Sequence, residues 1–552
     1  MKILIVGGVA GGASAATRAR RMNEDAEIIL FEKDGYVSFA NCGLPYYIGG
    51  EIENRDSLLV ATPEFLRLRF NLDVRIRQEV TSIDRSAKTI DVLNHETGET
   101  YCESYDKLIL APGASPFVPP MDGVDAQNVL TLRNVEDTDR IASFVEQDAT
   151  RRAVVVGAGF IGLEMVEQLA HRGIDTTLVE LQPQVLPLLD PEMAAPLEDE
   201  LIEKGVALHL GKSVAKVVCA GEPNRGTAVE LSDGTVIETD LVILGIGVRP
   251  NVELAQKAEI ALGSSGGIAT DAWMRTSDEN IYAVGDAAEY PYRPTDSRMR
   301  VALAGPANRA GRLAGQHAAT GSSDEMQPVL GTSIVRVFGK TAAITGLSES
   351  LAQRLNIDVK AVTIIAKDHA GYYPGAELLT LKLLYSPSDG KVLGAQVVGG
   401  AGCDKRIDVI ATAMHFDATT RQLAGLDLAY APPFGAAKDP VHLAAFVACN
   451  ELDGFESFAP ADKSLEGVQV LDVRTPAEVS KTPIAGATAA INIPLDELRD
   501  RMSELDTTRP LVVTCAAGLR AHVAVRMLSQ RGFDAKNLTG GATLRNRAYR
   551  QR

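Results

Sequence analysis

Ala153-Val154-Val155-Val156-Gly157-Ala158-Gly159-Phe160-Ile161-Gly162 decides the fold of this chain. Its apolar residues read as a buried strand, its glycines as a tight turn, and the residues after them as the first turn of a helix. Further on, Asp175-Thr176-Thr177-Leu178-Val179 reads as a second strand that ends on an acid, Glu180. That order makes a dinucleotide-binding βαβ unit. Gly157, Gly159 and Gly162, with the backbone of Phe160 and Ile161, admit a pyrophosphate to the helix N-terminus, and the acid takes a ribose hydroxyl. Glu180 would repel a 2′-phosphate, so the expected nucleotide is NAD(H) rather than NADP(H).

About 150 residues upstream the device recurs. Residues 3–6 are an apolar strand leading into Gly7-Gly8-Val9-Ala10-Gly11-Gly12, then a small-residue helix, then the strand Ala26-Glu27-Ile28-Ile29-Leu30-Phe31 ending on Glu32 and Lys33. Val9 stands where the second glycine usually is. Two such units predict two nucleotides facing each other. Between and after them lie three more buried strands that end in turns: one enters Ala111-Pro112-Gly113, one enters Gly245-Ile246-Gly247, and one, Asn280-Ile281-Tyr282-Ala283-Val284, enters Gly285-Asp286.

The chain has 552 residues, enough for three or four domains, with 45% hydrophobic and 23% charged residues, the balance of an ordinary globular protein. A net charge of −17 argues against nucleic acid as a main partner. The chain starts directly on the strand Lys2-Ile3-Leu4-Ile5-Val6, with no secretion signal expected, and no apolar run approaches the roughly 18 residues that cross a bilayer. Six cysteines are scattered at wide spacings, which suggests neither a disulfide framework nor a Cys-x-x-Cys metal site and points to a reducing cytoplasm.

One of those cysteines stands alone in Ser38-Phe39-Ala40-Asn41-Cys42-Gly43-Leu44-Pro45-Tyr46-Tyr47. A redox role for Cys42 requires it to store electrons as a mixed disulfide with a small thiol, as a persulfide or as a sulfenic acid. The alternative is a small buried hydrophobe, the commoner fate of a free cysteine.

Over roughly residues 1–450 these elements, in this order, resemble the flavin-dependent pyridine nucleotide disulfide oxidoreductases. The resemblance implies an α/β protein with two Rossmann-like domains, for FAD (1–112 and 270–325) and NAD (113–269), and an α+β dimerisation domain (326–450). It also implies FAD contacts at Gly7, Gly8, Ala10, Gly11, Glu32, Lys33, Ala111, Pro112 and Gly113, with Asp286 on the ribityl chain, and makes Gly247 part of the nucleotide site. Many members carry Cys-x-x-x-x-Cys, but here Tyr47 occupies the second position. Ser38-Phe39-Ala40-Asn41-Cys42-Gly43, the Ala-Gly-Tyr-Tyr-Pro-Gly run at 370–375 and Tyr430-Ala431-Pro432-Pro433-Phe434 look most like the coenzyme A disulfide reductases and their persulfide-reducing relatives. That likeness implies a homodimer in which Tyr372 and Tyr430 reach Cys42 of the other subunit, with Tyr373 the alternative to Tyr372. It places Ser14, Arg18, Arg21, Ser38, Asn41, Asn308 and Lys438 on the coenzyme A substrate.

After a polar, turn-rich stretch expected to be a linker (451–464), residues 465–552 resemble a single rhodanese domain. Leu511-Val512-Val513-Thr514-Cys515-Ala516-Ala517-Gly518-Leu519-Arg520 is a buried strand entering a loop and a helix. A cysteine so placed is surrounded by backbone N–H groups and a positive helix end, and Arg520 adds a charge, which suits a thiolate that holds an anion. The six-residue span from Cys515 to Arg520 fits sulfur transfer rather than phosphatase chemistry.

The leading expectation is an enzyme that uses NADH and FAD to reduce coenzyme A persulfide or disulfide through Cys42, with Cys515 handling sulfane sulfur. An NADH oxidase or peroxidase that cycles Cys42 through sulfenic acid is a second reading. A redox-sensing or scaffold protein is a third, and no metal site is expected.

Overall fold

The strand Lys2–Val6 is apolar on both faces, and Ile3, Leu4 and Ile5 are fully buried, as a parallel strand covered by helices on both sides requires. It pairs in parallel with Glu27–Phe31 on one side and Lys107–Leu110 on the other; Asp73–Arg75 and Ile281–Ala283 complete a five-stranded sheet. Against it lies helix Ala10–Met22, packed on helix Ala304–Thr320. Their faces are small residues for a steric reason: a Cβ on Gly311 would strike the carbonyl of Gly11, and one on Gly315 that of Ala15. Residues 3–6, 108–110 and 281–284 share one apolar core with this helix pair.

The computed structural model describes residues 1–220, 225–487 and 489–550. The chain divides into two units, residues 1–179 with 212–331 and residues 180–211 with 332–552. The first unit also holds the second nucleotide-binding strands. Arg152–Val156 lies in parallel between Asp175–Glu180 and Leu241–Leu244, and Leu241–Leu244 pairs in turn with Val129–Leu130.

The second unit contains an antiparallel sheet in the order Ser333–Val337, Lys340–Gly346, Val392–Gly399, Leu378–Tyr385, Lys360–Lys367. Within its apolar alternation sits Lys382, 2% exposed. Its ammonium meets the carboxylates of Asp190 at 2.8 Å and Glu192 at 2.5 Å, and that of Glu349. Burial alone would lower the lysine pKa, but the three carboxylates outweigh burial and raise it. Asp190 is held below the usual carboxylate range, since Lys382 and the N–H groups of Ser350 and Glu349 more than reverse the effect of burial. Lys382→Met is expected to strand three acids together and to cost about 3–5 kcal/mol of stability, measurable by denaturant unfolding. A loss under about 1 kcal/mol would show the acids to be solvated instead.

The last sheet is parallel, in the order Phe458–Ala459, Ala535–Leu538, Leu511–Thr514, Gln469–Asp472, Ile491–Asn492. Its membership corrects the expected linker, because Phe458–Ala459 is already the edge strand. Just before it, the carboxylate of Glu456, 3% exposed, accepts from Asn537 Nδ2 at 2.8 Å and bonds His522 Nδ1 at 2.6 Å, while Arg526 donates to the Phe455 carbonyl. Turn-rich polar sequence marked a change of chain direction, and buried partners then fixed the segment in place. At the far end, Arg547 of helix Gly541–Arg550 donates to Thr380 Oγ1 of the antiparallel sheet at 3.1 Å. Among the described residues no helix is long and apolar enough to cross a membrane.

Candidate functional site

Both glycine turns are shaped for dinucleotides. A Cβ on Gly7 would strike the Ala111 carbonyl, and one on Gly157 would lie 2.5 Å from the Gly245 carbonyl, so only glycine lets the crossing strands close over each turn. Neither helix Ala10–Met22 nor helix Phe160–His171 has a side-chain N-cap. Their first N–H groups are left for a ligand's phosphates. In the first cradle Glu32 is buried, with Oε2 accepting from Gly8 N–H at 2.8 Å and Oε1 from Asp34 N–H at 3.0 Å. Burial pushes its pKa up, opposed by those two donors. Lys33 is exposed, and Ala111, Pro112 and Gly113 follow the end of strand Lys107–Leu110, where Asn251 donates to the Pro112 carbonyl at 2.8 Å. Gly247 follows Leu241–Leu244 in the same way. Glu180 is buried, its Oε1 accepting from Gln182 N–H at 2.7 Å.

Asp286 lies in a short helical turn, Gly285–Ala287, and Arg133 Nη2 donates to its Oδ2 at 2.9 Å. The carbonyl of Arg133 in turn accepts from Asn41 Nδ2 at 3.2 Å, which ties this ion pair to the cysteine segment. Cys42 lies in the turn Asn41–Gly43, directly before helix Leu44–Gly49. It is exposed as a residue, yet its thiol is crowded: desolvation is the largest cause raising its pKa, followed by the charges of Glu164 and Asp286, with Arg133 opposing. Glu164 is itself held by Tyr46 Oη at 3.0 Å. Burial and the two acids thus disfavour the thiolate of Cys42, and Arg133 offsets part of that. Ser38 adopts φ +49°, an uncommon state for a non-glycine residue, and is fixed there by its N–H to Gly8 O at 2.8 Å and by Ala61 N–H to its carbonyl at 3.2 Å.

The expected substrate residues of the first unit assemble along the close helix pair. Ser14 Oγ donates to Asn308 Oδ1 at 2.6 Å, and one turn on Arg18 donates to Gln316. Arg312, between Asn308 and Gln316 at helical spacing, was missed from sequence, although the i, i+4, i+8 series that places it was legible. Arg18 has its pKa lowered, by burial first and then by Arg312 and Arg21. Among the described residues none of these three arginines makes an ion pair. Such a cationic cluster without carboxylates suits phosphate groups.

In the second unit the structure brings Tyr372 and Tyr430 together, hydroxyl to hydroxyl at 3.0 Å, on an exposed surface. Tyr373 instead sets its ring edge-on to His369, and Lys438 is exposed nearby in sequence. Cys515 is buried at the mouth of helix Leu519–Ser529, its Sγ accepting from Gly518 N–H at 3.1 Å. Arg520 interacts with the Cys515 sulfur, as expected, and has a second partner. It forks onto Glu478 at 2.8 and 2.6 Å, so its charge is matched by an acid that the sequence reading overlooked. Glu478 is held at about 2 by Arg520 first and by the N–H of Thr475.

Two βαβ units with glycine turns define a flavin- and nicotinamide-dependent oxidoreductase. The chain belongs to the pyridine nucleotide-disulphide oxidoreductase family, whose profile matches residues 1–311, followed by the family's dimerisation domain over 332–440 and a rhodanese-like domain over 459–544. It is 37% identical over 447 residues to the coenzyme A disulfide reductase of Staphylococcus epidermidis, covering 81% of this chain and 99% of that one. Among solved structures it resembles Bacillus anthracis CoADR-RHD in its reduced form, with 46% identity, a TM-score of 0.95 and coverage of 100% and 98%. The NAD-dependent persulfide reductase from A. fulgidus matches with 38% identity, a TM-score of 0.91 and coverage of 99% and 100%.

Proposed function

We propose that the protein uses NADH and FAD to reduce the sulfur–sulfur bond of coenzyme A disulfide or persulfide at Cys42, and that its rhodanese-like domain transfers sulfane sulfur through Cys515. The observation that carries this reading is an unaccompanied Cys42 in the same unit as the cations Arg18, Arg21 and Arg312, which make no ion pair among the described residues. A lone thiol must take its second sulfur from the substrate, and the arginines give that substrate's phosphates a place to bind. The relatives named above, a coenzyme A disulfide reductase and a persulfide reductase, support the same choice.

In this mechanism Cys42 attacks one sulfur of CoA–S–S–CoA, forming a Cys42–S–S–CoA bond as the CoA–S–S–CoA bond breaks, and its thiol proton passes to the expelled coenzyme A, which leaves as a thiol. FAD, which the glycine turn at residues 7–12, Glu32 and Asp286 would hold, would supply the two electrons, drawn from NADH, for cleavage of the mixed disulfide. The Cys42 thiol is regenerated and a second coenzyme A thiol is released, so the balance is one NADH and one proton per disulfide. Asn41 and Ser38 fix the backbone around the thiol, Asp286 and Arg133 hold each other beside it, and Glu32 orients a ribose. The exposed Tyr372–Tyr430 pair would complete the site from the other subunit of a homodimer by offering a proton to the departing thiolate. The test is NADH consumption by the FAD-loaded protein with coenzyme A disulfide, coenzyme A persulfide, oxygen and peroxide. Steady turnover with the first two and little with the last two is expected, and the reverse order would replace this reading with an oxidase or peroxidase.

NADH should be preferred to NADPH by at least about tenfold in kcat/KM, about 1.4 kcal/mol, because the Glu180 carboxylate is fixed at its strand end by the Gln182 N–H and would face a 2′-phosphate. Equal values for the two nucleotides would remove Glu180 from the site.

A further inference from the structure

Tyr372 and Tyr430 are 77% and 47% exposed, so packing does not hold their hydroxyls together. They also belong to separate loops. Tyr372 lies in the turn between strands Lys360–Lys367 and Leu378–Tyr385, closed at its base by Asp368 N–H to Glu377 O at 2.9 Å. Tyr430 lies in the irregular stretch before helix Pro440–Leu452, whose N-cap is Asp439.

Below both loops is Arg406, on helix Cys403–His415 and 1% exposed. Its Nη2 donates at 2.6 Å to the carbonyl of Asp368 and at 2.9 Å to Oδ2 of Asp439, so the two loops meet on one nitrogen. Nε reaches Asp439 Oδ1 at 3.3 Å, and Nη1 reaches the Gly402 carbonyl of its own helix turn at 3.1 Å. Midway to the tips, Ala370 N–H donates to Gly435 O at 2.9 Å. The guanidinium, this backbone bond and the tyrosine hydroxyls form three successive ties between the loops.

We infer that Arg406 is a positioning residue for the tyrosine pair, setting the distance between the hydroxyls of Tyr372 and Tyr430 by gripping both loops at their base. This rests on the proposed role of those tyrosines in the reductase site. A well-packed apolar pair would stabilise the buried position as well as an ion pair does, whereas only directional bonds fix two loops against each other. The planar fork serves a carbonyl and a carboxylate together; a lysine ammonium is a point charge on a flexible stem and cannot reproduce that geometry.

The test uses full-length, FAD-loaded protein carrying Arg406→Lys and, separately, Asp439→Asn, which keeps the shape of its partner. Both should reduce the flavin with NADH at the unmodified rate and lose about 10- to 100-fold in turnover of coenzyme A disulfide, the scale of a misplaced reacting group. In a Tyr372→Phe, Tyr430→Phe background the same substitutions should cost less than about twofold, since the groups they position are gone. Ultraviolet titration supplies a readout independent of turnover. The hydrogen bond from Tyr372 holds the Tyr430 hydroxyl above its ordinary pKa, and Arg406→Lys should bring that ionisation down. Unchanged turnover and titration, or an equal loss in the Phe background, overturns the inference. A shifted titration with Phe variants of full activity leaves the positioning intact and instead removes the tyrosines from the reaction. If Arg406→Lys does not fold, Asp439→Asn decides on the same readouts.

Discussion

Cys42→Ser is expected to abolish NADH-driven reduction of coenzyme A disulfide or persulfide, with a loss of at least about 1,000-fold, the scale seen when a sole nucleophile is removed. Neither Tyr47 nor any other residue of the turn Asn41–Gly43 and helix Leu44–Gly49 offers a second sulfur. FAD should stay bound, because Gly7, Gly8, Glu32 and Asp286, the residues proposed to hold it, make no hydrogen bond to the cysteine among the described residues. NADH should still bleach the flavin in the absence of air. Steady-state turnover and anaerobic flavin reduction together check the prediction, and turnover within tenfold of the unmodified protein would dismiss Cys42 as the redox centre. Burial first, then the charges of Glu164 and Asp286, raise its pKa and Arg133 opposes, so all three charged neighbours bear on its thiolate fraction.

Cys515→Ser is expected to remove sulfur transfer from thiosulfate to a thiol acceptor, again by about 1,000-fold or more, while reduction of coenzyme A disulfide stays within about twofold. The persulfide on Cys515 would be held by backbone donors, of which Gly518 N–H already points at the sulfur at 3.1 Å. Arg520 contributes less than its bare charge implies, since Glu478 matches it with two bonds. The separation of the two reactions rests on chemistry and not on a loose tether, because the segment before the rhodanese-like domain is bonded into it through Phe455 and Glu456. Paired assays on both variants test this. If Cys515→Ser stops disulfide reduction as completely as Cys42→Ser, the two sulfurs form one obligatory relay.

What was legible in the sequence was what local chemistry dictates. Glycine turns, strand-ending acids and the cysteine before a helix each announce themselves within about ten residues, and the βαβ units, Cys42 and Cys515 were read on that basis. Ion pairs formed by the fold were not legible. Arg133 and Asp286 are 153 residues apart, and Arg406 meets Asp439 across 33 with no periodic signal to join them. Lys382 was an anomaly in plain view, a charge inside the run Leu379-Thr380-Leu381-Lys382-Leu383-Leu384, but its three acids come from other elements. The choice between Tyr372 and Tyr373 needed side-chain direction, which adjacent identical residues cannot supply.

The tie through Glu456 bears on how such a domain travels between genes. A fragment cut at residue 465, inside the matched span of 459–544, would lack the edge strand Phe458–Ala459 and leave Ala535–Leu538 with an open hydrogen-bonding rim, while His522 and Asn537 would lose the Glu456 carboxylate. The heritable module is therefore longer than its catalytic signature and begins by Phe455. A fusion that joined it to a new host after that point would inherit the sulfur-handling loop without the frame that keeps it folded.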